Sequence, residues 1–172
     1  MEKLRESLIY DNAELKKILL NVRTIAMVGA SPRPIRPSNS TMKYLLGKGF
    51  NVIPVNPSCT DEMIYGQRTY SALSEIKNKI DMINIFRPSK VVGKIVDEAI
   101  KTRPKLCFNI IWMQLGVQDD DAAKKASLEG IQVIMNRCPK IEFGRLSGEL
   151  SWLGVNSGII SAKSLKSPKH GR

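Results

Sequence analysis

Five short apolar runs recur along the chain at near-regular intervals: TIAMV (24–28), NVIPV (51–55), DMINIF (81–86), LCFNIIW (106–112) and IQVIM (131–135). Each is continuous and rich in Val and Ile, the pattern of a strand buried on both faces. Helical patterns separate them. Thr41–Lys48 places Met42, Leu45 and Leu46 together, and Ser71–Lys79 groups Ala72, Leu73 and Ile76. Pro88 stands in the first-turn position ahead of Val91, Val92, Ile95, Val96, Ala99 and Ile100. Asp119–Asp121 opens another helix with acids that suit the macrodipole, and Gly130 ends it. Strands alternating with helices at this spacing imply right-handed βαβ units and a parallel sheet. The expected fold is α/β and Rossmann-like: a five-stranded, doubly wound parallel sheet in three αβα layers, from about Val22 to Ile134.

A leading helix over residues 12–20, with Leu15, Ile18 and Leu19 as its apolar face, is expected to pack across the sheet. Ile141–Leu146 reads as a short closing helix. One domain should thus span residues 1–146. Residues 147–172 form an extension whose apolar stretch SWLGVNSGII (151–160) suits docking on the domain or on a second copy, followed by a disordered tail from Lys163. A length of 172 residues fits one hydrophobic core. No run approaches the roughly 18 apolar residues of a membrane span. The opening MEKLRESLIYDNAELKK has no apolar stretch of the kind a signal peptide needs. The three cysteines show no CxxC spacing, so neither a disulfide framework nor structural zinc is expected. A cytoplasmic location follows from these readings as an expectation.

The net charge is +11, and its placement says more than its size. Between Leu15 and Thr60 there is no Asp or Glu, while Lys16, Lys17, Arg23, Arg33, Arg36, Lys43 and Lys48 all fall there. A one-signed stretch inside a mixed chain points to an anionic ligand. Open parallel sheets bind ligands beyond the carboxyl ends of their strands. That rule nominates Gly29–Ser40, Asn56–Pro57, Arg87–Ser89 and Gln114–Gly116.

VGASPRPIRPSNST follows the first strand and opens a helix, where such domains hold phosphate. Gly29 permits a tight turn and close approach of backbone amides. Ser31, Ser38, Asn39 and Ser40 offer caps and donors, Arg33 and Arg36 suit bidentate phosphate contacts, and three prolines stiffen the loop. The bland alternative is a solvated, Pro-rich loop. Neither the GxGxxG fingerprint nor a P-loop is present. The second strand ends in PVNP (54–57), with Asn56 where NAD-binding domains carry an acid. A phosphorylated ribose, as in NADP or coenzyme A, is better tolerated there than NAD.

In combination, IAMVGASPRPIRPS (25–38), FNVIPVNP (50–57), GQRTYSAL (66–73), NIFRPSK (84–90), IIWMQLG (110–116) and VIMNRCPKIEF (133–143) resemble the stand-alone CoA-binding-domain proteins of bacteria and archaea. Their nucleotide domain is similar to that of the succinyl-CoA synthetase α subunit, and the likeness covers about four-fifths of the chain. The resemblance implies coenzyme A as the cofactor. It assigns Gly29, Ala30, Ser31, Arg33, Arg36 and Ser38 to the diphosphate and Asn56 and Pro57 to the adenosine side. Phe86, Arg87 and Pro88 fall along the nucleotide and pantetheine, and Gln114 and Gly116 towards the reactive end. The synthetase also uses a phosphorylated histidine on a further domain. The only histidine here is His170, in the basic tail, so synthetase chemistry is not expected.

The expected function is therefore a binding module for CoA or an acyl-CoA, a sensor or carrier rather than a catalyst, with a homodimer and a partner enzyme both open as assemblies. The alternatives are an NADP-dependent enzyme, which lacks a placed general acid or base, and a nucleic-acid binder, which lacks an aromatic platform or recognition motif. Trp112 reads as core or pocket lining, Glu142 and Glu149 as exposed and without partners, and Cys107 as a buried strand residue. Cys59 and Cys138 read as accessible on the ligand side. For Cys138, beside Arg137, a mixed disulfide with the CoA thiol stands open against an inert cysteine.

Overall fold

The computed structural model describes residues 9–148. Its main sheet contains five parallel strands: β1 (Thr24–Val28), β2 (Asn51–Val55), β5 (Met82–Ile85), β6 (Ile110–Met113) and β7 (Gln132–Ile134), in the order β2-β1-β5-β6-β7. A two-stranded antiparallel hairpin, β3 (Met63–Ile64) and β4 (Gln67–Arg68), follows β2. The five strands match the five apolar runs. The fourth begins later than expected, at Ile110, because the preceding helix continues to Leu106.

Strand alternation sorts the core into two layers. Ala26, Val28, Ile53, Val55, Ile83, Ile85, Ile111 and Met113 face one side. There they meet Val92, Val96, Ala99 and Leu106 of α3 (Val92–Leu106) and Ala122, Ala123 and Ala126 of α4 (Asp120–Leu128). Ile25, Met27, Val52, Met82, Trp112 and Ile134 face the other. They are covered by Leu15, Ile18 and Leu19 of α1 (Asn12–Asn21), by Met42 and Leu45 of α2 (Pro37–Gly47), and by Phe143 and Leu146 of α5 (Pro139–Leu146). This is the expected αβα sandwich, with the leading helix laid across it.

Local chemistry fixes the ends. The Asp119 carboxylate accepts from the Ala122 amide at 3.0 Å and caps α4. The Asp81 carboxylate accepts from the Arg23 and Thr24 amides, both at 2.8 Å, and so ties the starts of β1 and β5. Helix α3 ends at Cys107, which adopts a left-handed φ of 61° and is exposed. Cys107 is thus a helix terminus, not the buried strand residue expected. The Ser71–Lys79 segment also differs: only Leu73–Glu75 winds, as a 3₁₀ turn. Backbone bonds from Tyr70 to Pro54 and from Ile80 to Leu106 hold both ends of that segment to other elements. Among the described residues no helix is long and apolar enough to cross a membrane.

Glu142 is 7% exposed rather than solvated. It accepts from Arg145 Nη2 at 2.5 Å and lies 3.8 Å from Arg137 Nε, so the carboxylate is paired with one arginine and near a second. Trp112 is wholly buried and donates its indole N–H to the Arg137 carbonyl at 2.8 Å, a core and tethering role. Glu149, residues 151–160 and the tail from Lys163 lie outside the described residues.

Candidate functional site

The strand order reverses direction between β1 and β5, so the crevice at that switch point opens between the loops that follow Val28 and Ile85. Gly29 occupies it with φ +90°, a conformation L side chains rarely adopt. A Cβ there would lie 2.8 Å from the Phe86 carbonyl oxygen and 2.9 Å from Arg87 Cδ. Glycine is therefore required twice over, by its torsion and by the close passage of the neighbouring loop. Parallel hydrogen bonds extend one residue past the strands: Gly29 N–H to Val55 O and Phe86 N–H to Val28 O, both at 2.8 Å, and Gln114 N–H to Ile85 O at 3.1 Å.

Beyond Gly29 the loop lies on the surface. Ala30 is buried and Ser31 half-buried, but residues 32–37 are all exposed, including Arg33 and Arg36. Neither guanidinium has a hydrogen bond or ion pair with another described residue. Bonds from backbone amides shape the loop instead, the Arg33 amide donating to the Ser31 hydroxyl Oγ at 3.2 Å and the Arg36 amide to Arg33 O at 3.0 Å. No side chain caps α2. Arg36 holds the cap position and Pro37 the first turn, so Ser38 is buried in the helix and does not act as a cap.

Two amides that the sequence offered as ligand contacts are used internally. Asn56 donates through Nδ2 to Ala30 O at 2.7 Å and accepts through Oδ1 from the Ser58 amide at 3.0 Å. It therefore pins the end of β2 to the Gly29 loop, and Pro57 and Ser58 are what the turn exposes. Asn39 donates to Ser31 O at 2.9 Å and accepts from the Tyr65 hydroxyl at 2.5 Å. Tyr65, at the tip of the β3–β4 hairpin, thus clasps the first turn of α2. The sequence does not announce this hairpin: its two-residue turn is Tyr65–Gly66, both at positive φ, and not one of the Asn-Gly or Asp-Gly pairs that usually mark such a turn.

Across the crevice, Phe86 and Arg87 are half-buried, and Pro88 caps the turn leading into α3. Ser89 Oγ accepts from the Gln118 amide at 3.0 Å, joining the loops after β5 and β6. Gly116, at φ +79°, donates its amide to Asn136 Oδ1 at 2.8 Å, which ties the β6 loop to the turn after β7. Gln114 is 7% exposed, and its buried Oε1 has no hydrogen-bond partner among the described residues.

Cys59 and Cys138 each retain only 7% exposure, so neither is accessible as expected. Burial, and then the nearby Glu62 carboxylate, push the Cys59 thiol up from its ordinary pKa and keep it protonated. Among the described residues no cluster of His, Cys, Asp and Glu is arranged to hold a metal.

A parallel sheet in the order β2-β1-β5-β6-β7, with an obligatory glycine at its switch point, defines a Rossmann-like α/β protein that presents loops along its carboxyl edge. The chain belongs to the CoA binding domain family, whose model matches residues 23–144. It is 34% identical to the uncharacterized protein YneT of Bacillus subtilis over 129 residues, covering 75% of this chain and 91% of that protein. Similarity extends to subunit alpha of the ADP-forming acetate–CoA ligase I of Pyrococcus furiosus. There the identity is 31% over 84 residues, covering 46% of this chain and 18% of that protein. Among solved structures, a hypothetical protein from Pyrococcus horikoshii superposes with a TM-score of 0.73 at 35% identity, covering 80% of this chain and 92% of the other.

Proposed function

We propose that this chain binds coenzyme A or an acyl-CoA across the carboxyl edge of its sheet, as a sensor or carrier module with no chemistry of its own. The observation that carries the reading is the family match over residues 23–144, which includes every loop of that edge. The Pyrococcus furiosus relative is named for a reaction that uses CoA, and its likeness is of the extent a shared CoA-binding domain would give.

In this reading Gly29, Ala30, Ser31, Arg33, Arg36 and Ser38 meet the diphosphate. Close backbone approach at Gly29 and two exposed guanidinium groups with no partner among the described residues support that assignment. Asn56 holds the loop in shape and Pro57 offers its exposed ring to the adenosine. Phe86, Arg87 and Pro88 flank the ligand at the switch point, and Gln114 and Gly116 lie towards the thiol end. Residues 1–146 act as the binding unit, and 147–172 are an extension to it.

Calorimetry at one salt concentration tests the reading. CoA is expected to bind more tightly than dephospho-CoA and far more tightly than NAD, because the stretch from Leu15 to Thr60 holds seven cations and no acid. NAD binding as tightly as CoA would sink it.

A further inference from the structure

The tip of the β3–β4 hairpin breaks a local rule of turn chemistry. Tyr65 and Gly66 sit at φ +49° and +78°, the two positive torsions of a tight two-residue hairpin turn. Asn, Asp or Gly is favoured at the first of those positions, because a side chain as large as tyrosine is crowded in the left-handed region. A strained residue persists where its surroundings hold it, and such residues gather where a side chain has a task. Tyr65 is 44% exposed, so that task is not burial. Its hydroxyl reaches Asn39 Oδ1 at 2.5 Å.

Asn39 is 4% exposed and stands between two partners. The Ser31 carbonyl can only accept, so Nδ2 must face it, as it does at 2.9 Å. Oδ1 is then left to face Tyr65, and the hydroxyl donates to it. A relay of two hydrogen bonds therefore runs from Tyr65 through Asn39 to Ser31. It starts on a hairpin outside the residues assigned to the ligand and ends in the loop after β1.

What the relay holds is the peptide plane between Ser31 and Pro32. A peptide group is flat, so fixing the Ser31 carbonyl fixes the path of the chain into Pro32. The proline ring then locks the next φ near −65°. With both constraints in place, the direction in which Arg33 leaves the loop is set. One residue earlier, Asn56 Nδ2 pins Ala30 O at 2.7 Å, so the loop is anchored to β2 on one side and to the hairpin on the other.

On the CoA-binding reading, on which this inference rests, Arg33 meets the diphosphate. We infer that Tyr65 is a positioning residue for that contact: its hydroxyl holds Asn39, and through it the Ser31–Pro32 peptide, in the form that presents Arg33 to an anion. The hairpin tip thereby tunes ligand affinity from outside the binding loops.

Tyr65→Asn tests this with two effects of opposite sign. Asn-Gly is a pair such a turn prefers, so the ligand-free variant should show a urea midpoint equal to or above wild type. Asparagine lacks the reach of the phenol, so CoA affinity should fall roughly three- to tenfold in calorimetry on the full chain. Tyr65→Phe, which loses only the hydroxyl, should reproduce that loss and serves alone if the asparagine variant does not fold. A double-mutant cycle with Arg33→Ala locates the effect. Once the positioned group is gone, adding either Tyr65 substitution should lower CoA affinity by less than about twofold further. Unchanged affinity in Tyr65→Phe, losses that simply add to that of Arg33→Ala, or a fall in both midpoint and affinity in Tyr65→Asn would overturn the role of Tyr65 and leave the CoA-binding reading standing. A wild-type chain that binds no CoA would remove that reading and this inference with it.

Discussion

Gly29 and the two arginines after it carry opposite burdens within one loop. Gly29 is held at φ +90° with the Phe86 carbonyl 2.8 Å from where a Cβ would stand, and that obstacle is backbone with no rotamer to yield. Arg33 and Arg36 stand in solvent without partners among the described residues. Gly29→Ala should therefore destabilise the fold by at least about 1–2 kcal/mol from the left-handed torsion alone, before any shift of the Phe86 loop. The double substitution Arg33→Ala/Arg36→Ala should leave unfolding within about 0.5 kcal/mol of wild type, as surface changes do, while CoA affinity falls by tenfold or more. Urea denaturation without ligand, beside calorimetry with CoA, separates the two effects. Loss of stability in the arginine variant would make the loop structural and remove its assignment to the diphosphate.

At the level of elements, strands were the most legible feature and connections the least. The bounds of β1 and β2 coincide with the runs TIAMV and NVIPV, because burial on both faces leaves a continuous apolar signature that polar flanks delimit. Ala72, Leu73 and Ile76 gave a helical spacing over 71–79, yet Leu73 and Ile76 reach the core from a single 3₁₀ turn with fixed ends. Spacing alone does not separate those cases. The same limit applies to the site. Gly29 and the arginines were readable because their roles follow from local residue type. The clasps Asn56–Ala30 and Tyr65–Asn39 join residues 26 apart and could not be read. Cys107 was misread because α3 runs nearly two turns beyond the apolar pattern that ends at Ile100, leaving the cysteine at an exposed left-handed terminus while Cys59 and Cys138 are buried. Alkylation by iodoacetamide near neutral pH should therefore label Cys107 first. Cys59 should lag furthest behind its free-thiol rate, since a raised pKa leaves less thiolate at that pH and burial blocks access. Peptide mapping after brief exposure decides it. Early labelling of Cys59 would contradict its burial.

For the whole molecule, the surplus of positive charge has two separate sources. One is the acid-free stretch from Leu15 to Thr60, which contains the switch-point loop; the other is the acid-free run from Lys163, with Lys163, Lys166, Lys169 and Arg172. The family match ends at residue 144, so all loops of the carboxyl edge lie before the second source. Fields of exposed charges fade over a Debye length of about 8 Å at physiological salt, and a tail that reaches the edge only through such a field adds little to a ligand gripped by direct contacts. Removing Lys163–Arg172 should therefore leave CoA affinity within about twofold at 0.15 M salt, whereas a nucleic-acid function would depend on those cations and show a steep salt slope. Calorimetry with CoA and a gel-shift series with DNA and RNA at two salt concentrations, on the full chain and the truncated one, distinguish these outcomes. Unchanged CoA binding in both chains, with little nucleic-acid retention in either, is the expected result. A tenfold fall in CoA affinity on truncation would place the tail in the site, and salt-sensitive retention lost on truncation would give the chain a polyanion-binding role that the carboxyl edge does not explain.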